Sequence, residues 1–295
     1  MNAVFKKEFR SSFHSLTAPV FIAVVLAVMG GFLVMDQFKA AEPQLEYTVI
    51  KASFWSLLVT AVLTMRTLSE ERRAKTDQLL YFLPITSTQI IMGKFLAMIS
   101  VFAIPFVIVC IYPVFLSGKV ANGDVNFIFT YGTLIGYFLL GCTVIALSMF
   151  ISSLTDNQIL SAIFSLCTFA ALYFIGSYIK DIPEDKWMGF AAVIILCGIA
   201  SVIVYIATNN YIASAAVGAI LIAGSCALYI FKAELYTGLF AKIIGSVCIF
   251  LPLEEIATVI NAKEMFDWTP YVYYLSATAL FVFLTVQSFE KRRWN

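Results

Sequence analysis

At 295 residues, with 61% hydrophobic and only 13% charged side chains, the chain is too apolar for an ordinary soluble domain. Its net charge of +1 gives no reason to expect nucleic acid as a partner. Apolar blocks of about 17–25 residues, enough to cross a hydrocarbon core of about 30 Å, recur along it, and the alternating segments of about ten residues that a membrane barrel needs are missing. The expected fold is all-α: a polytopic membrane helical bundle of about eight transmembrane helices, forming a single domain over 1–295.

Residues 1–17 open with Phe5, Phe9 and Phe13 at four-residue spacing and charges between them, the pattern of an interfacial helix. His14, the only histidine, has no second ligand to share a metal with. Ala18 to Met35 reads as a retained first span rather than a cleaved signal. Asp36 to Glu46 is expected as a polar loop, and span two as Val49 to Met65, with Lys51 near enough to its end to snorkel.

Residues 66–94 are a charged island between apolar blocks. Glu70, Glu71, Arg72 and Arg73 are consecutive, and each would cost roughly 2.5–3.5 kcal/mol at a bilayer centre. Glu71 with Lys75 and Arg73 with Asp77 are opposite charges at i,i+4, and Leu79, Leu80 and Leu83 add an apolar stripe. Pro84 stops this helix. Thr86 and Gln89 form a capping box, with Ile85 and Ile90 as its staple, that launches span three, Phe95 to Leu116. The island is thus a rigid elbow joined directly to two spans.

Span four is expected over Phe127 to Ser148, where Gly132 and Gly136 allow close helix approach. A break at Ser152 to Gln158, with Thr155 and Gln158 as capping box and Leu154 and Ile159 as staple, starts span five, which runs to Ile179. Spans six (Met188 to Ile206) and seven (Ile212 to Phe231) form a helical hairpin within 180–235. Residues 236–269, too short in their apolar run and broken by Pro252, suggest a re-entrant segment. The last span, Tyr271 to Val286, ends in a basic anchor with Trp294. The six cysteines are scattered through apolar blocks and read as packing residues.

Eight crossings place both termini and the island on one side. That side carries eleven basic against six acidic residues, and the other eight against twelve, so the positive-inside rule makes the termini and elbow cytoplasmic in a multi-pass cell-membrane protein and puts the 236–269 segment outside.

The run Arg66, Glu70-Glu71-Arg72-Arg73, Thr76, Leu79-Leu80, Leu83-Pro84-Ile85-Thr86 and Gly93-Lys94-Phe95 resembles the cytoplasmic signature of bacterial ABC-exporter membrane subunits of the gliding-motility and nitrous-oxide-accessory type. Phe5-Lys6-Lys7-Glu8, the Ser152 to Gln158 break and the Tyr273 to Trp294 stretch are similar to that family too. Lys75 stands where the family usually has glycine, and Gln78 where it has an acid. Because members usually have six spans, spans six and seven read as an insertion.

The resemblance implies a permease subunit without chemistry or cofactors of its own. It would pair with a second copy or paralogue, homo- or heterodimeric, in the lipid bilayer, and with a separate ABC ATPase subunit that holds ATP and Mg. Its ATPase-coupling residues would be Glu70, Glu71, Arg72, Arg73, Thr76, Leu79, Leu80 and Pro84. The alternative is a secondary active transporter without an ATPase partner, for which neither ionisable mid-span residues nor paired broken helices are visible. An intramembrane metalloprotease would need histidines that the chain lacks. No phosphate-loop motif is present, so the purified chain is expected to hydrolyse no ATP; robust turnover in a phosphate-release assay would overturn the subunit reading.

Overall fold

The computed structural model describes residues 1–39, 45–73, 86–117, 127–155, 157–178 and 268–294, with shorter runs between 186 and 253. Among the described residues it is helical, without strands. Contacts divide the chain into two compact units, Met1–Ala171 with Pro252–Asn295, and Leu172–Leu251.

In the first unit the helices are α1 (Asn2–His14), α2 (Thr17–Leu33, continued by a π-helical turn at Val34–Lys39), α3 (Leu45–Thr64), α4 (Arg66–Arg73), α5 (Ser87–Val109), α6 (Tyr112–Ser117), α7 (Phe127–Leu154), α8 (Gln158–Tyr178, which runs on into the second unit) and α9 (Thr269–Trp294). Among the described residues, five stretches are long and apolar enough to cross a membrane: Thr17–Asp36, Leu45–Ser69, Ser87–Ser117, Phe127–Leu154 and Thr269–Lys291. Gln158–Tyr173 is a shorter apolar helix. The count of about eight also included spans six and seven, which lie largely outside the described residues, as does most of 236–269.

Helix α7 is the centre of this unit, packed by α3, α5 and α9. Its contact with α5 is aromatic. Phe102, fully buried, lies 5.8 Å from the Tyr137 and Phe138 rings and 6.5 Å from that of Phe21. Its contact with α3 is polar: Ser56, Thr60 and Thr64 are completely buried on α3, each bonding a carbonyl of its own preceding turn, and Tyr137 Oη donates to Ser56 Oγ at 2.9 Å. Small hydroxyl residues let helix backbones come close where lipid supplies no hydrophobic drive for association. Gly132 contributes its carbonyl, which accepts Tyr271 Oη at 3.0 Å, so this part of the glycine-spaced stretch meets α9 of the same chain.

Two local expectations are corrected. Span two begins at Leu45 rather than Val49, and Glu46 lies in its first turn, not in a loop, because a carboxylate is favoured at a helix N-terminus and Thr130 Oγ1 donates to it at 2.5 Å. The cap of α8 is Asn157, whose Oδ1 accepts the Ile159 N–H at 3.0 Å; Thr155 Oγ1 turns back to the Ile151 carbonyl, and Leu154 and Ile159 stay exposed. Other expectations hold: Thr86 Oγ1 accepts the Gln89 N–H at 3.3 Å, and Phe5, Phe9 and Phe13 lie in a row along α1 with centroids 5.9 and 4.9 Å apart.

The second unit has its own aromatic centre. Trp187, Phe190 and Tyr236 surround Tyr229, and Tyr236 Oη donates to the Ser225 carbonyl at 2.9 Å. After the 3₁₀ turn Ala233–Tyr236, Gly238 stands at φ 69°, where an L side chain is strained.

A methyl group on Gly141 of α7 would sit 2.3 Å from Phe102 Cε1, and that ring is wedged between Tyr137 and Phe138. Gly141→Ala is therefore expected to destabilise the bundle by about 1–3 kcal/mol, and Phe102→Leu in the same chain to relieve it; melting in detergent checks both.

Candidate functional site

The island's first half is α4, separated from α3 by a single turn residue, Met65. Breaking the helix there exposes N–H groups at the start of α4 and carbonyls at the end of α3. Hydroxyls satisfy several of them, Thr67 Oγ1 taking the Thr64 carbonyl at 2.8 Å. Ser152 Oγ of α7 accepts from the Leu68 and Ser69 N–H groups at 3.4 and 3.1 Å and donates to the Met65 carbonyl at 3.0 Å. Ser69 Oγ and Ser161 Oγ of α8 reach the same carbonyl at 2.6 and 3.4 Å. The break at Ser152 to Gln158 thus lies beside the elbow. Ser288 Oγ of α9 donates to the Ser153 carbonyl at 3.4 Å, so α1, α4, the α7–α8 break and the end of α9 share one end of the unit.

At that end is a buried ion cluster. Lys94 lies two turns inside α5, and its side chain is 1% exposed. Its Nζ is 2.9 Å from Glu71 Oε1 on α4, 3.3 Å from Glu8 Oε1 on α1 and 2.9 Å from the Thr67 carbonyl. Three acceptors thus face an ammonium with three N–H donors. Lys7, 63% exposed, lies 3.4 Å from Glu71 Oε1 and 3.6 Å from Glu8 Oε1, so two cations share two carboxylates. Gly93 makes the approach possible: a Cβ there would stand 3.1 Å from Val4 Cβ and 3.2 Å from the Met1 carbonyl, so α1 rests on the glycine backbone.

Of the eight residues expected to couple to an ATPase, Glu71 is half-buried in this cluster and Arg73 is exposed at the end of α4. Glu70 and Arg72 are on the same helix, their side chains outside the description, while Thr76, Leu79, Leu80 and Pro84 lie outside the described residues. The pairings Glu71–Lys75 and Arg73–Asp77 cannot be followed for the same reason. Sequence reasoning did not assign Lys94, Glu8, Lys7 and Ser152 these roles. Lys94 inside an apolar helix was the one available signal, since a cation there requires a partner. Among the described residues no group of three or more His, Cys, Asp and Glu is placed to hold a metal, and the five described cysteines are free thiols.

Residues 5–112 match the family model described as ABC-2 family transporter protein. The matched stretch runs from α1 to the first residue of α6 and contains the whole Lys94 cluster. No curated protein sequence matches the chain. With the five apolar helices among the described residues, the match makes this stretch similar to the membrane part of an ABC-2 transporter.

Removing one partner of a buried pair strands the other charge, at a cost of about 3–5 kcal/mol. Lys94→Met is expected to lower stability by that order, and Lys94→Met with Glu8→Gln and Glu71→Gln to recover most of it. Detergent melting curves of the two variants decide this; a single variant as stable as the parent would remove the cluster's structural role.

Proposed function

We propose that this chain is the permease subunit of an ATP-driven exporter of the gliding-motility and nitrous-oxide-accessory type, working as a pair with a second copy or paralogue. A separate ABC ATPase docks on the cytoplasmic elbow at 66–94, through Glu70, Glu71, Arg72, Arg73, Thr76, Leu79, Leu80 and Pro84, and its closure on ATP and Mg moves the membrane helices. Both termini lie on the same cytoplasmic side.

The observation that carries this reading is the family match over 5–112, whose span includes α4 and the Lys94 cluster that ties it to α1 and α5. A push on the exposed end of α4 meets three restraints. Glu71 draws on Lys94 and so on α5, Lys7 and Glu8 draw on α1, and Ser152 draws on α7. Helices far apart in sequence are thereby loaded together. Buried ionic contacts suit this role because separating them is costly, so α4 moves with its neighbours rather than away from them.

Glu71 serves the fold as well as the docking face, so a variant that tests coupling must keep it. Arg72→Ala with Arg73→Ala is expected to leave the melting temperature within a few degrees while abolishing ATPase co-purification and ATP-driven transport. Glu71→Ala lowers the melting temperature as well. Full transport by the arginine double variant, or transport driven by an ion gradient without any ATPase, would favour the secondary-transporter reading instead.

A further inference from the structure

An apolar groove of about 490 Å³ runs between α5 and α9, open to the side. Phe95 and Val286, 6% and 8% exposed, form its floor, and Leu275 and Phe283, 57% and 60% exposed, its rim. The groove is not apolar throughout, because Thr88, Gln287 and Glu290 line it as well. Thr88 and Glu290 stand at the ends of the candidate spans Ser87–Ser117 and Thr269–Lys291, so this polar end lies where hydrocarbon gives way to headgroups. At the helical rise of about 1.5 Å per residue, Leu275 to Glu290 covers about 22 Å, against about 15 Å for one leaflet of a core of about 30 Å. The groove is therefore long enough for a single acyl chain.

Charge decides which lipid fits. Among the described residues, the side chains of Thr88, Gln287 and Glu290 have no hydrogen-bond or ion-pair partner. A carboxylate placed there is best matched by a donor that carries positive charge. Lys291 follows Glu290 on α9 and is exposed, but adjacent positions on a helix do not face each other. It lines an adjoining depression with Gln287 and Glu290, where its ammonium is offered to an acceptor. A headgroup holding both a primary ammonium and a phosphate meets the two charges together, the ammonium bringing three N–H donors to Glu290.

We infer that the α5–α9 groove is a binding site for an aminophospholipid of the phosphatidylethanolamine type, with its ammonium on Glu290, its phosphate towards Lys291 and an acyl chain along Phe95 and Val286. Such binding belongs to the isolated chain and needs no ATPase partner. Because Thr88 is in the first turn of α5 and Glu290 near the end of α9, the lipid bridges two helices that lie far apart in sequence.

The test is native mass spectrometry of the full chain extracted from vesicles holding equal parts of phosphatidylethanolamine, phosphatidylcholine and phosphatidylglycerol. One phosphatidylethanolamine is expected to be retained about tenfold over phosphatidylcholine, whose quaternary ammonium has no N–H to give Glu290. Glu290→Gln should erase that preference. Ala279→Trp, at an exposed position within the groove, keeps every charge and should lower retention of phosphatidylethanolamine about tenfold by filling the space of its acyl chain. Glu234→Gln removes an exposed carboxylate that does not line the groove and should change the preference less than about twofold. Equal retention of phosphatidylethanolamine and phosphatidylcholine by the parent chain, or a preference undiminished in Glu290→Gln, would overturn the headgroup assignment. Undiminished retention in Ala279→Trp would overturn the groove. Phosphatidylglycerol retained above phosphatidylethanolamine would assign the lipid to the basic end of α9 alone and overturn the role of Glu290.

Discussion

The ammonium of Lys94 is the constraint around which the charged end of this protein is built. An ion withdrawn from water costs several kcal/mol unless its charge is matched and its donors are filled. Here the match comes from two other helices, Glu8 of α1 and Glu71 of α4, and the third donor goes to a backbone carbonyl of α4. A helix with no buried residue of its own, α1, is thereby fixed on the bundle by charge and by the bare backbone of Gly93, rather than by an apolar face.

Away from that end, the bundle is held by hydroxyl contacts and fitted rings. In lipid the apolar effect does not distinguish a neighbouring helix from an acyl chain, so close backbone approach and satisfied polar groups carry more of the association. The α3–α7 seam uses buried serines and threonines for this, and the α5–α7 contact uses the fit of Phe102 into Gly141. Glu46 follows the same logic at the opposite end, where a single hydroxyl from Thr130 accompanies its burial.

Features set by neighbours in the chain were legible in the sequence. Apolar run length located the described spans, the phenylalanine spacing located α1, and Thr86 with Gln89 marked the start of α5. The failures are those in which a distant group decides. Glu46 reads as loop until Thr130 is brought beside it, and Thr155 has the pattern of a cap although Asn157 takes that place. The partners that the structure gives Glu71, Lys94 and Lys7, come from other helices, and no periodicity links positions so far apart. The coupling residues rest on family resemblance, and half of them lie outside the described residues.

The single-residue break at Met65 gives α4 a mechanical character of its own. The amide ladder of α3 closes behind it, with the Met65 N–H on the Ala61 carbonyl at 3.2 Å, so turning α4 need not unwind the span. At the joint itself the turn is resisted by hydroxyl bonds, each worth only about 0.5–1.5 kcal/mol, while the Lys94 contacts with Glu71 and the Thr67 carbonyl hold the rest of α4. The joint is a pivot rather than a spring. Because two of its hydroxyls belong to α7 and α8, its resting angle is set by those helices and not by the segment that swings.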